Sequence, residues 1–220
     1  MKKIPDPIRK RIHDVFPTRI YTVDVADYEL LNKNLIKIID EERDLYGSRN
    51  ISNKSGGHQT KDGKFLDAPD CEYKSRVLLE MTRAIESFSS DMNVDLENFA
   101  VRCQESWANI NVRGSGNMSH VHPMTHWACV YYVYVPENAG MFLINDPRGG
   151  IPQMYSMPYI NDESPYKNDK LEPDTPEGRL LIFPGWMSHE VSPNMSDEKR
   201  YTIAANFSYY MKKDLTNQAN

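Results

Sequence analysis

At Phe99 the hydrophobic rhythm of the chain changes, and that change limits the fold more than any other feature. Upstream, apolar residues recur every three or four positions; downstream they alternate. From Tyr28 to Tyr46 the apolar set is Tyr28, Leu31, Leu35, Ile38, Ile39 and Leu45, which predicts a helix with Asp27 as its N-cap and Gly47 as its stop. Residues 47–70, rich in Gly, Ser, Asn, Asp and Lys, predict a long loop. A second helix is predicted after Pro69-Asp70, with Tyr73, Val77, Met81, Ile85 and Phe88 on one face. Both helices are expected to cover a sheet.

From Phe99 the period is two. Phe99, Val101, Cys103, Glu105, Trp107, Asn109 and Asn111 are expected on one face of a long strand. Residues 126–135, 141–145, 179–183 and 200–210 predict further strands, dense in aromatic and β-branched residues and separated by Gly, Pro and Asn. Many short strands without alternating helices predict an antiparallel sandwich or barrel rather than a doubly wound sheet. In the last strand Arg200, Thr202, Ala204, Asn206 and Ser208 share one face and Tyr201, Ile203, Ala205, Phe207 and Tyr209 the other. The first set is polar or small, as a cavity wall would be. Residues 147–178 hold six prolines and three tyrosines (Tyr155, Tyr159, Tyr166) in 32 residues without periodicity, and predict an ordered lid-like loop.

Composition narrows the functional classes. A chain of 220 residues is long enough for one good core, so 1–220 is expected to be a single domain: a helical part over 1–98 and a β core over 99–210. Net charge −5 and pI 5.7 argue against nucleic acid as a partner, since the one basic run, Arg9-Lys10-Arg11, is short. No window approaches 18 apolar residues, and no apolar stretch follows Lys2-Lys3, so neither a membrane span nor a signal peptide is expected. Cys71, Cys103 and Cys129 are odd in number and widely spaced, which excludes a disulfide framework and a cysteine zinc site and suits the reducing cytoplasm.

The chemistry concentrates in the histidines of the β region. His120 and His122 are one residue apart, so in an extended stretch both imidazoles project to the same side. They follow Asn109-x-Asn111-x-x-Gly114 by a five-residue gap; His189 comes after a separate strand, and Arg200-x-Thr202 begins eleven residues later. Two imidazoles on one side are a good way to hold one metal ion.

In this ordered set the chain resembles the Fe(II)/2-oxoglutarate-dependent oxygenases, and more closely an oxygenase family found in marine phage and bacteria. The resemblance covers residues 99–210. It rests on Trp107-Ala108-Asn109-Ile110-Asn111, His120-Val121-His122-Pro123, Val130-Tyr131-Tyr132-Val133, Asp146-Pro147-Arg148, Glu177 to Pro184 and the strand from Arg200 to Phe207. It implies a mainly β, double-stranded β-helix (jelly roll) fold, with the N-terminal helices as a layer on one sheet. It also implies Fe(II) held by His120, His189 and a third ligand, 2-oxoglutarate held by Arg200, Thr202 and Asn111, and ascorbate as an activator. Trp107, Asn109, Tyr132 and Arg148 become candidates for the substrate pocket.

The chain departs from the family pattern at Asn111, which stands where one branch has Tyr, and again in the metal motif. The family motif is H-x-D, and His122 stands where the carboxylate is expected. Three readings of the third position stay open: His122 itself, Asp146 reaching from another strand, or water. Three histidines also suit a dioxygenase that uses no 2-oxoglutarate, or catalytic zinc. A jelly-roll protein with a structural metal and no activity is a further alternative. The expected reaction is hydroxylation of a small molecule or a protein side chain, with succinate and CO₂ as coproducts. His126 is read as an ordinary half-buried histidine, and His13 and His58 receive no role.

Overall fold

The computed structural model describes residues 13, 16–49, 51–53, 55–148 and 170–213. Most of the expected lid lies outside the described residues, as does the basic run near the N-terminus. Helix α1 spans Tyr28–Tyr46 and α2 spans Glu72–Asp91. Ten strands accompany them: β1 Tyr21–Asp24, β2 His58–Gln59, β3 Phe99–Asn111, β4 Asn117–His120, β5 Trp127–Tyr134, β6 Phe142–Asn145, β7 Lys170–Leu171, β8 Arg179–Pro184, β9 His189–Val191 and β10 Arg200–Met211. They form two antiparallel sheets, one ordered β1-β8-β5-β10-β3-β2 and the other β4-β9-β6-β7. The molecule is therefore mainly antiparallel β with few helices. No helix among the described residues is long and apolar enough to cross a membrane.

Strand alternation divides the interior into two cores. Leu31, Leu35 and Ile39 of α1 and Val77, Met81 and Ile85 of α2 pack in one cluster with Ile203, Ala205 and Phe207 of β10 and with Cys129, Tyr131 and Val133 of β5. Each Leu, Ile, Val, Met or Phe side chain among them stabilises the fold by about 1.5–3 kcal/mol on burial. The opposite face of the larger sheet meets the smaller one through Ala128, Tyr132, Leu181 and Phe183 against Phe142 and Ile144. The functional cavity opens in this second layer.

Two local expectations are corrected. Asp27 precedes α1, but its backbone is left-handed (φ 50°, ψ 43°) and its side chain makes no capping hydrogen bond. An N-cap needs the extended conformation to aim its oxygen at the next turn. Gly47 does close the helix, at φ 73° with its N–H donating to the Arg43 carbonyl. In β3 the alternation is broken by a bulge. Asn206 of β10 pairs with Glu105 and Phe207 with Cys103, so Gln104 is the extra residue. Val101 and Cys103 consequently face the helices, while Trp107 and Asn109 face the cavity. Without the bulge Trp107, Asn109 and Asn111 would point at α2.

Candidate metal centre and anion site

His120 and His189 are direct register partners across β4 and β9. His122 lies two residues beyond, held by its backbone N–H donating to the Gly185 carbonyl at 2.8 Å. The result is a group of three imidazoles whose nearest nitrogens all lie within 4.8 Å of one another. His120 Nδ1 contacts the Met118 carbonyl at 2.7 Å and His189 Nδ1 the Met187 carbonyl at 2.9 Å. Only a protonated Nδ1 satisfies a carbonyl, so in both rings Nε2 carries the free lone pair. His189 Nε2 faces His122 Nε2 at 3.3 Å. Nitrogens bound at about 2.0–2.1 Å to one ion stand roughly 2.9–3.4 Å apart, so this spacing and donor set fit a divalent transition metal.

The site is dry. The His189 ring stacks on Phe142 and meets the edge of Phe183, with centroids 5.3 and 4.7 Å away. Burial, reinforced by the neighbouring imidazoles, pulls His189 down to about 3 and His122 down to about 4; burial also lowers His120. All three are neutral, as metal binding requires. The consequence for stability has a definite sign. Below the ordinary histidine value of 6.5 the unfolded chain binds protons that the folded site refuses. The metal-free protein should therefore lose stability as pH falls from about 6.5 towards 4. The urea midpoint followed against pH measures this, and a flat profile would contradict it.

Asp146 stands apart from the three histidines. Its carboxylate accepts hydrogen bonds from the Arg148 backbone N–H and guanidinium, which hold its pKa below the usual range. The tight turn after β6 puts the two side chains within reach of each other. Arg148 is thus exposed and paired with Asp146, and among the described residues it is not part of the cavity wall.

Arg200 begins β10 on the cavity face, fully buried at 2% exposure. Among the described residues it has no carboxylate partner: its polar contact is Nη1 to Asn111 Oδ1 at 3.5 Å, and its Nε has none. The Tyr132 ring lies beneath the guanidinium at 5.4 Å, so Tyr132 supports Arg200 from the inter-sheet core rather than lining the cavity. Burial disfavours the charge, yet a guanidinium stays protonated. A cation kept dry with unused N–H groups is a site prepared for an anion.

The remaining wall is a chain of buried amides and hydroxyls. Asn111 donates to Asn117 at 3.5 Å, and Asn117 to Ser52 at 3.1 Å. Gln59 donates to Ser52 at 3.4 Å and to Asn109 at 3.1 Å, and Asn109 donates to Thr202 Oγ1 at 3.2 Å. Because Thr202 accepts that bond, its own O–H is left to donate to another group. Ser52, Gln59 and Asn117 escaped the sequence reading. Gln59 sits in a two-residue strand too short to show a period, and Ser52 in a stretch whose composition reads only as loop. His58, on the other face of the same strand, is buried on the helix side opposite Ile110.

Residues 105–206 match the family described as Putative 2OG-Fe(II) oxygenase. The matched stretch contains all three histidines and Arg200. Among solved structures the fold is similar to a Pseudomonas putida prolyl-4-hydroxylase, at 15% identity over 86% of this chain and 92% of that one, with TM-score 0.58. It is also similar to a viral collagen prolyl hydroxylase from Paramecium Bursaria Chlorella virus-1 solved with 2OG (10% identity, 86% and 94% covered, TM-score 0.54). A third is the non-heme alpha ketoglutarate dependent carbocyclase SnoK from nogalamycin biosynthesis (10% identity, 92% and 87% covered, TM-score 0.58). At these identities the likeness is one of fold. No curated protein matches the sequence significantly. The family description names Fe(II) and 2OG, and the donor set of the cavity fits a divalent metal ion and an anion.

Proposed function

We propose that the protein is an Fe(II)- and 2-oxoglutarate-dependent oxygenase acting on a small molecule or a polypeptide side chain. The observation that carries this reading is the buried guanidinium of Arg200, without a carboxylate partner among the described residues, in the same cavity as three convergent imidazoles. Ferrous iron at such a site supplies O₂ activation, with the keto acid as the electron source. In the overall balance one oxygen atom enters a C–H bond of the substrate and the other enters succinate, with release of CO₂.

The chain's own residues divide the work. His120, His122 and His189 hold the metal, and the Met118 and Met187 carbonyls fix two of the rings in the binding tautomer. Arg200 pairs with the distal carboxylate of 2-oxoglutarate, and Asn111 orients its guanidinium. Thr202 donates its O–H to the same carboxylate while Asn109 holds the hydroxyl oxygen. Phe142 and Phe183 exclude water from the His189 side. A three-histidine dioxygenase without a keto acid would use the same metal site but leaves Arg200 buried for no purpose.

Protein loaded with Fe(II) anaerobically and then exposed to O₂, with ascorbate as reductant, should form succinate slowly from 2-oxoglutarate without added substrate. His189→Ala should abolish the activity. Iron-loaded, folded protein that neither binds nor consumes 2-oxoglutarate would overturn the proposal.

A further inference from the structure

The cavity is longer than its cosubstrate needs. Along the inward face of β10 it is lined by Arg200, Thr202, Ala204 and Asn206. Six residue steps of strand span about 20 Å, and the five-carbon chain of 2-oxoglutarate covers less than half of that. The far end lies past the histidines. Ala204 is opposite Trp107, whose ring is 5.8 Å from that of His122, and Asn206 is one inward step further, opposite Ala128.

We infer that this far end is a substrate subsite for an uncharged group bearing an N–H or O–H donor, received by Asn206 Oδ1. The inference rests on the reading of Arg200 as the 2-oxoglutarate anchor, which assigns the other end to the keto acid. Asn206 is 6% exposed, and its Oδ1 is buried without a hydrogen-bond partner among the described residues. Its orientation is forced. Nδ2 donates to Glu105 Oε2 at 3.5 Å, and a carboxylate can only accept, so a flipped amide would set oxygen against oxygen.

Glu105 in turn is fixed. Arg49 Nη1 donates to it at 2.6 Å, and Gly63, at φ +69°, packs so closely that a Cβ there would stand 2.8 Å from its Oε1. The Arg49 guanidinium also lies over Trp107, 5.2 Å from the ring centroid, and holds that wall in place. The pair cancels its own charge, and among the described residues lining the cavity Arg200 is the only permanent ion. An anionic substrate group would find no cation at the Asn206 end. A group without a donor would leave the Asn206 oxygen dry and unpaired.

Two probes of nearly equal shape test this: 2-pyrrolidinone, which carries a ring N–H, and cyclopentanone, which does not. Their affinities for the Zn(II)-loaded full chain are measured by ligand-observed NMR, with 2-oxoglutarate titrated in parallel. Wild type should bind 2-pyrrolidinone about tenfold more tightly, the value of one well-made hydrogen bond. Asn206→Leu should bring the ratio near one, with Asn206→Ala carrying the same expectation if the leucine variant does not fold. Equal affinities in wild type, a preference that survives in both apolar variants, or no binding of either probe by protein that binds 2-oxoglutarate would overturn the inference alone. Failure of wild type to bind 2-oxoglutarate, with the probe preference intact, would overturn the Arg200 reading instead.

Discussion

Arg200→Met should stabilise the ligand-free protein and remove its affinity for 2-oxoglutarate, two effects of opposite sign from one side chain. The guanidinium is fully buried, its Nε lacks a partner, and among the described residues no carboxylate faces it. Replacing buried ionic groups with apolar side chains of similar volume is commonly stabilising by roughly 1–4 kcal/mol. In the complex the same charge is answered by a carboxylate, and losing a buried charge-assisted pair costs about 2–5 kcal/mol, or roughly 30-fold to several thousandfold in affinity. Arg200→Lys keeps the charge but loses the planar fork and the stacking on Tyr132, so its affinity should fall between the two. Metal affinity should be nearly unchanged in both. Calorimetric titration with 2-oxoglutarate and a urea melt of each apo variant supply the two readings. Arg200→Met that binds 2-oxoglutarate normally would place the anchor elsewhere.

How far the sequence could be read depended on how many residues expressed each feature. The helices and long strands repeat their pattern over many positions, and α1 was predicted at its observed limits. The face of β10 that carries Arg200, Thr202 and Asn206 was also legible, because its polar and apolar sets alternate without interruption. In β3 the same logic failed over a single residue. The inserted Gln104 reverses the faces, and only the hydrogen-bond ladder with β10 reveals it. Strands β2 and β9, of two and three residues, are shorter than any period and were invisible, although β9 carries His189. His120 and His122 were singled out by their spacing together with the ordered set of motifs that carries the family resemblance. The amide circuit through Ser52, Gln59 and Asn117 depends on contacts distant in sequence, which no local pattern records.

The third ligand position separates the competing metal sites most sharply. Losing an outer partner of a metal ligand typically costs about 10–100-fold in metal affinity, so His122→Ala, which removes an imidazole of the group itself, should cost more than about a hundredfold. Asp146→Ala should leave metal affinity nearly unchanged, since that carboxylate is engaged by Arg148 outside the group. His122→Asp should retain the metal, because two histidines and one carboxylate suit non-haem iron. Its shorter reach makes partial activity the expected outcome. The two forms should also differ in acid. Free imidazoles protonate near 6.5, but burial holds His122 near 4 and His189 near 3, so wild type should keep its metal well below pH 6.5 and then lose it steeply as several rings compete for protons. His122→Asp exchanges one imidazole for a carboxyl whose pKa burial raises, so it should begin to release metal at a higher pH. Without metal, however, the variant must bury a carboxyl beside Trp107 and the other two histidines. Its apo form should be less stable than wild type, and metal should raise its melting temperature by the larger increment. Isothermal titration with Mn(II) across pH 4–7 and paired apo and loaded melts measure both. Unchanged metal affinity in His122→Ala would remove His122 from the coordination sphere and give the third position to water.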